Sequence, residues 1–431
     1  MQVVFRFLYN LIIPLVYLLL HLAAFFNSKI RTGKSGRKRL FEQLLLNAAR
    51  LDKRKPLIWF HSASLGEFEQ AKPIIEELKK QNIYNILVTF FSPSGYDNSR
   101  KYKFADLISY IPFDTASAAE RFISVTRPAL AVIMRYDFWP NHIWELSRRN
   151  IPILIADATM KDGSKRMLPG LRQFHAALFR TFTKILTVSQ RDLENFRGFG
   201  CTPEQLSPGG DTRFDRVYIR SLGSKAQNIL RPEITAGKKV IVLGSSWEED
   251  EEVMIPALLK LLKYHHDVFI IIAPHEPTIE HLEKLEADFS GMASTIRFSR
   301  QNNYAGERVL LIDGIGLLLT LYSYADITFV GGSFKSNVHN VLEAAVYSVP
   351  VLYGPKIYNS QEAGQLAQTG GGVIIRNKRE AYIQISRMLN NEPERKEKGK
   401  KAGEFVQTNL GATEKIISAI GEILNKKQNE F

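Results

Sequence analysis

PLIWFHSASLGEFEQAKPIIEELKKQNIYNILVTF, residues 56–90, sets two apolar runs, Leu57 to His61 and Ile86 to Phe90, on either side of an amphipathic run, Glu69 to Gln81. Short apolar runs without alternation are strands buried on both faces, and a helix between two of them makes a parallel crossover unit. The pattern continues with strands expected at Ala129 to Met134, Ile153 to Ala156 and Lys184 to Val188, and helices at Ala116 to Val125 and Asn141 to Arg149. A second series opens at Lys239. Its strands are expected at Val240 to Gly244, Val268 to Ala273, Val309 to Ile312, Ile327 to Val330 and Val351 to Tyr353, with helices at Glu252 to Tyr264 and His339 to Tyr347. A chain of 431 residues exceeds one compact core, so the reading is α/β, two doubly wound lobes facing a central cleft. Regular alternation lapses between Asp215 and Pro232, which puts the join there. The expected domains are 1–28, 29–220, 221–410 and 411–431, the last being an amphipathic helix, Thr413 to Lys427, that must dock somewhere; in known two-lobe proteins such a helix returns to the first lobe.

Lys and Arg outnumber Asp and Glu by 57 to 44, which favours an anionic partner: nucleic acid, anionic lipid or a phosphorylated substrate. The N-terminus speaks for lipid. Phe7 to Phe26 is broken only by Asn10, Pro14 and His21, long enough to cross a hydrocarbon core as a helix. Lys29, Arg31, Lys34, Arg37, Lys38 and Arg39 follow without an acid between them, a cluster that stays cytoplasmic on anionic headgroups. Ala23-Ala24-Phe25-Phe26 offers no small-x-small cleavage site, so the segment reads as an anchor, spanning or lying in one leaflet, rather than a signal peptide. Gly33-Lys34-Ser35 lacks the upstream glycine of a phosphate loop. The single Cys201 cannot form an intramolecular disulfide and fits a reducing compartment.

In open parallel sheets ligands bind beyond the carboxyl ends of the strands. Four segments lie there. His61-Ser-Ala-Ser-Leu-Gly-Glu67 ends in a carboxylate that can act as general base on a hydroxyl, or equally sit in a helix's first turn where the dipole favours it. Arg135-Tyr-Asp-Phe-Trp-Pro-Asn141 carries Arg135 and Asp137, placed to meet an anionic substrate or to pair with each other, with Trp139 read as core. Ala325 to Ser333 runs into Gly331-Gly332 and then a helix expected to carry His339, Asn340 and Glu343, with amides for phosphate and a carboxylate for ribose. Ala273-Pro-His-Glu-Pro277 and Asp313-Gly-Ile-Gly-Leu317 close two further strands of the second lobe. No Cys or His cluster has zinc-ligand spacing, and no Gly-x-Ser-x-Gly elbow supports an esterase.

His61-Ser-x-Ser-x-Gly-Glu67, Phe138-Trp-Pro-Asn141, Gly210-Asp-Thr-Arg-Phe-Asp215, Phe329-Val-Gly-Gly-Ser333 and His339-Asn-x-x-Glu343, with the N-terminal anchor, resemble the 3-deoxy-D-manno-octulosonic acid (Kdo) transferases over nearly the whole chain. The resemblance implies a GT-B glycosyltransferase at the inner membrane that inverts the anomeric centre, with CMP-Kdo as donor, a lipid A precursor as acceptor, and no metal or other cofactor. By that similarity Glu67 is the proton acceptor and Arg213 stands where relatives carry a basic transition-state stabiliser, a Lys. Pro274, His275, Ile315, Gly316, Leu317, Asn340, Val341, Leu342 and Glu343 fall on the CMP-binding segments. Arg135, Leu317 and His275 depart from the pattern, standing where Glu, Glu and Arg are common; Arg135 on its own chemistry could clamp a carboxylate or phosphate. Two other readings stand beside this one. One is a two-lobe transferase using a UDP-sugar. The other is a membrane-tethered nucleotide- or RNA-binding module, against which stands the lack of aromatics interleaved with Lys and Arg, so that no nucleic-acid partner is expected.

Overall fold

The structure, a computed structural model, describes residues 2–429, which form two compact units: 2–216 with 410–429, and Val217–Asn409. Each unit contains one seven-stranded parallel sheet. In the first unit β1 (Leu57–Ser62), β2 (Asn85–Phe90), β3 (Leu107–Tyr110), β4 (Leu130–Met134), β5 (Ile153–Ala158), β6 (Lys184–Thr187) and β7 (Leu206–Pro208) lie in the order β3-β2-β1-β4-β5-β6-β7. In the second, β8 (Lys239–Ser246), β9 (Val268–Pro274), β10 (Thr295–Arg297), β11 (Val309–Leu311), β12 (Ile327–Val330), β13 (Val351–Tyr353) and β14 (Gly372–Ile374) lie in the order β10-β11-β9-β8-β12-β13-β14. The direction of winding reverses between β1 and β4 and between β8 and β12, so each sheet has its ligand crevice at that switch.

Alternation along β1 shows how the sequence builds the layers. Leu57 and Trp59 enter one apolar cluster and Ile58 and Phe60 the cluster on the opposite face, all four buried. Both faces are therefore covered, and the strand has no polar side to give to water. Every strand expected from apolar runs is present. The four that were not expected, β3, β7, β10 and β14, are the sheet edges. Edge strands are short and covered less completely, so their residues carry no continuous apolar run.

The helix expected from His339 to Tyr347 is a correction: only Leu342–Ala345 is helical. His339 N–H donates to Gly331 O at 3.0 Å, and the Asn340 side chain accepts from Leu342 N–H at 3.2 Å, so the chain bends into its helical turn only after Asn340.

The N-terminal apolar segment is helical over Gln2–Phe26 (α1) and is followed by α2 (Ser28–Gly36) and α3 (Leu40–Ala48). One stripe of α1 lies on the first unit. The Tyr9 hydroxyl donates to Asp114 Oδ2 at 2.8 Å, and Asn10 and Asn141 exchange side-chain hydrogen bonds at 3.1 and 3.0 Å. Phe5 meets Phe174 edge-on and Tyr17 meets Phe113, with ring centres 5.7 and 4.7 Å apart. Leu8, Leu11, Leu15, Leu18 and Leu22, three or four residues apart, form the opposite, exposed stripe.

The final helix, Ala412–Asn429, packs Ile416, Ala419, Ile420 and Leu424 into the core of the first unit. Asp215 caps its start, accepting from Gly411 N–H at 2.8 Å and Thr413 N–H at 2.6 Å. Both donors lack another route to a carboxylate, so Asp215→Ala is expected to destabilise the protein by about 2 kcal/mol in urea unfolding. A loss under about 0.5 kcal/mol would mean that water replaces the cap at no cost.

Candidate functional site

In the first unit the crevice is furnished by residues that follow β1, β4, β5 and β7. Glu67 is in the first turn of α4 (Leu65–Gln81), preceded by a strand end and the small residues Ala63 and Ser64. Its Oε2 accepts Ala63 N–H at 2.6 Å, so the first-turn role is real; no described residue bonds Oε1. Burial holds the Glu67 pKa above the ordinary glutamate range, and the charge of Asp137 adds to this, against the pull of the Ala63 hydrogen bond, His61 and Arg135. A carboxylate with one anchored and one available oxygen and a raised pKa has what a general base requires.

Asp137 is held by a file of buried donors. Trp59 Nε1 donates to Thr89 Oγ1 at 2.8 Å; Thr89 Oγ1 meets His61 Nδ1 at 2.9 Å; His61 Nε2 meets Asp137 Oδ2 at 2.8 Å. Trp139 Nε1 donates to the same carboxylate oxygen at 3.0 Å. The consistent assignment is Thr89 donating to Nδ1 and His61 donating from Nε2 to Asp137. Trp139 is thus part core, as expected, and part support for Asp137.

Arg135 and Asp137 do not pair with each other. Arg135 has a left-handed backbone, φ +59°, rare for so bulky a residue, and its Nε donates to Gln70 Oε1 at 2.7 Å. Its Nη2 lies 3.7 Å from Asp211 Oδ2. Arg213 grips the same carboxylate at close range, Nε to Oδ2 at 2.9 Å and Nη2 to Oδ2 at 2.6 Å. Asp211 therefore sets the two guanidinium groups side by side. Burial works against its charge, yet Arg213 and then Arg135 outweigh that and hold its pKa low.

Asp157, fully buried and also left-handed at φ +51°, behaves in the opposite way. Burial first, and Asp211 second, push its pKa up to about 7. Hydrogen bonding gives the same answer independently. Thr212 Oγ1 contacts both Asp157 Oδ2 and Gln70 O, the latter at 2.9 Å, and its one proton can serve only one acceptor. With the proton on Asp157, the carboxyl donates to Thr212 and Thr212 donates to Gln70.

The second unit's crevice holds a stack. The His275 ring stacks on both Trp247 (4.6 Å, 29°) and His339 (4.5 Å, 16°), which lie side by side, Trp247 Nε1 donating to His339 Nε2 at 3.0 Å. Burial first, then His275, push His339 down to about 4, so at neutral pH its Nε2 is a free acceptor for that bond. Lys335 Nζ sits 3.5 Å from the Trp247 ring centre. Pro274–His275, Ile315–Leu317 and His339–Glu343 follow β9, β11 and β12, which with β8 are neighbours in the sheet, so these predicted segments share one edge. Val341 and Leu342 are fully buried, and their carbonyls accept from Ala345 and Val346 N–H, so they shape the site from beneath. Glu343 Oε1 is 3.7 Å from Arg220 Nη1.

The glycine pair is used structurally. Gly332 N–H donates to buried Asp250 Oδ2 at 2.7 Å and Gly331 N–H to Gly244 O at 2.9 Å, so both amides are satisfied within the protein. A Cβ at Gly331 would strike Ser245 O and one at Gly332 would strike Asn337 O; close packing demands the glycines. Asp250, Asp157, Asp211, Gln70, Trp247 and Lys335 escaped the sequence reading. Only Asp211, inside a quoted motif, carried a signal.

The family described as 3-Deoxy-D-manno-octulosonic-acid transferase (kdotransferase) matches residues 38–216. A 3-deoxy-D-manno-octulosonic acid transferase of Rickettsia bellii is 24% identical over 433 residues, covering 99% of each chain, and one of Aquifex aeolicus is 27% identical over 340 residues, covering 78% of this chain and 87% of the other. Among solved structures, a UDP-GlcNAc 2-epimerase from Neisseria meningitidis superposes with TM-score 0.62 at 14% identity (86% of this chain, 100% of the other), and a glycosyltransferase from Rickettsia africae with TM-score 0.55 at 11% (86% and 98%). These structures share the fold, two parallel α/β units of the GT-B kind.

The Asp157 proton has a stability signature. Between the unfolded value near 4 and the folded value of about 7, the native state keeps a proton that the unfolded chain has released, so stability falls as pH rises across that interval and levels off above it. Asp157→Asn preserves an acceptor for Thr212 N–H and a donor to its hydroxyl without titrating. Its Tm advantage over the parent is expected to grow from about pH 4.5 to about 7 and then stay constant; a difference independent of pH would place the proton elsewhere.

Proposed function

We propose that this chain, a glycosyltransferase of the Kdo transferase type, moves Kdo from CMP-Kdo to a phosphorylated, acylated lipid A precursor, with inversion and without a metal. The observation that carries the reading is Glu67: a first-turn carboxylate at the β1–β4 switch with Oε1 unbonded and a pKa raised by burial. A sugar hydroxyl is a poor nucleophile until a base takes its proton, and a carboxylate raised toward neutrality takes it most effectively.

In this reading Glu67 Oε1 accepts the proton of the acceptor hydroxyl as that oxygen attacks the anomeric carbon, and the bond to the CMP phosphate breaks with its electron pair. Arg135 and Arg213, set side by side by Asp211, meet negative charge on the donor's carboxylate and the departing phosphate. CMP is assigned to the strand ends of the second unit, its base against the Trp247–His275–His339 stack, where aromatic faces suit a pyrimidine. Glu343 is assigned to ribose. Cytoplasmic lobes at the inner membrane fit α1 and the basic run after it, which suit anionic lipid. A UDP-sugar donor is the competing reading, favoured only by the nucleotide named for solved structures that share the fold, the Neisseria epimerase among them.

Glu67→Gln is expected to lower kcat by a factor of about 10² to 10⁴ while CMP still raises the melting temperature as in the parent; transfer near the parental rate would remove Glu67 as base. Because the pKa is raised, kcat/KM should fall with acid at a pH above the usual glutamate range, an arm that the Gln variant lacks. Trp247→Ala should raise KM for CMP-Kdo about tenfold with little change in kcat, the mark of lost ground-state stacking. If UDP rather than CMP stabilises the parent protein, the donor assignment is wrong.

A further inference from the structure

Two cavities open beside α1 in the first unit. One, of about 220 Å³, is lined by Leu20, Ile30, Phe91, Pro93 and Phe113. The other, of about 390 Å³, lies across Phe113 and is lined by Tyr17, Leu40, Phe41 and Pro112. Lys34 and Arg37 border both, and Lys29 borders the first.

Arg37 forms their common wall. Its Nε, Nη1 and Nη2 donate to the carbonyls of Ile111, Gly33 and Phe91 at 2.9, 2.8 and 2.8 Å, and its guanidinium carbon stands 4.6 to 5.0 Å from the ring centres of Tyr110, Phe113 and Phe91. No carboxylate among the described residues pairs with it, and burial lowers its pKa only to about 10, so the charge persists at neutral pH. Lys29, Lys34 and Lys38 likewise have no acidic partner among the described residues. An apolar recess whose wall and rim carry uncompensated positive charge suits an amphiphile with an anionic head.

Two connections say where such a molecule comes from and where it leads. The recess is flanked by α1, whose polar side is consumed by Asp114 and Asn141 and whose residues from Phe5 to Tyr17 lie against the unit. Too few residues remain outside that contact to cross roughly 30 Å of hydrocarbon, whereas an exposed leucine stripe is what a helix lying in one leaflet presents. At the other end, Ser92 N–H at the cavity rim donates to Ala63 O at 3.0 Å, and Ala63 N–H is the group bonded to Glu67. Phe91 also packs on Trp139, ring centres 4.7 Å apart.

Resting on the proposed transferase reading, we infer that this double cavity seats acyl chains of the lipid acceptor, with Lys29 and Lys34 on its phosphate and α1 lying in the plane of the bilayer. The head sugar is thereby led along the Phe91–Ser92 turn toward Glu67.

The test uses the full chain in phosphatidylglycerol vesicles with a bis-phosphorylated, acylated glucosamine disaccharide bearing a diazirine on one acyl chain. Photolysis is expected to label residues 17–41 or 91–113, with labelling suppressed by unlabelled disaccharide at concentrations where extra phosphatidylglycerol has no effect. Labelling only elsewhere, or equal suppression by phosphatidylglycerol, overturns the assignment, the latter by making the recess a general lipid site. Crosslinking needs no turnover, so a protein that labels as expected yet transfers nothing from CMP-Kdo fails the donor reading and leaves the cavity standing. Leu20→Trp, which fills the smaller cavity, should raise the ratio of KM for acylated over deacylated acceptor about tenfold, as expected for lost apolar burial. Lys29→Glu/Lys34→Glu should raise both KM values together and leave their ratio as in the parent. An unchanged ratio in Leu20→Trp overturns the acyl role.

Discussion

Asp211 is a carboxylate with almost no contact with water that nonetheless keeps its charge, and the first unit's crevice is arranged around that fact. A buried anion survives only beside cations or donors. Here Arg213 supplies a bidentate grip and Arg135 a second charge 3.7 Å away. The relationship is mutual, because both guanidinium groups are long, rotamer-rich side chains that would lose their orientation without a fixed acceptor. A second ionised carboxylate at Asp157 would compete for the same cations; by holding its proton, Asp157 serves instead as a donor to Thr212 and through it to the backbone of Gln70. Gln70 closes the circuit by accepting from Arg135. Orientation of the clamp is thus maintained by neutral hydrogen bonds around one charge.

The second unit solves a different problem, holding a loop rather than a charge. Asp250 accepts three backbone N–H groups, from Trp247, Gly332 and Phe334, and so ties the segment after β8 to the segment after β12. The two segments meet at the switch of the sheet, and the consequence is the stack: Trp247 comes from one, His339 from the other, the two bond side by side, and His275 from the end of β9 packs against both. The glycines after β12 are there because their backbone passes too close to Ser245 and Asn337 to carry any side chain.

What the sequence made legible follows from how much each element buries. Central strands bury both faces and announce themselves as unbroken apolar runs; β3, β7, β10 and β14 bury less, and their residues look like their surroundings. Glu67, Arg135 and Arg213 drew notice in the sequence because they follow strands or sit in a recognisable motif. Their partners were not, because Gln70, Asp157 and Asp211 act through tertiary contacts between strand ends far apart in the chain, and no local spacing encodes such a meeting. The helix predicted from His339 failed for a related reason: local helical periodicity was overridden by a ring drawn into the stack and an amide drawn to Gly331.

The segment from Arg135 to Asn141 shows why strand-end loops concentrate function. Its left-handed first residue turns Arg135 toward Gln70 and Asp211. Two residues on, Asp137 takes its donors from His61 and Trp139 and adds to the field that raises Glu67. At its end, Asn141 bonds Asn10 of α1 and donates to the backbone carbonyl of Asp114, whose carboxylate accepts from Tyr9. A seven-residue loop on a rigid strand therefore bears on the Arg135–Asp211–Arg213 group, on Glu67 and on the seat of the apolar helix. Each contact is with a different element, so a shift of the helix against the sheet would be felt at Asn141 within one short helical entry of the residues that tune Glu67. Glu67 and the apolar helix are thereby held in fixed register, and this loop supplies that register through direct bonds at both ends.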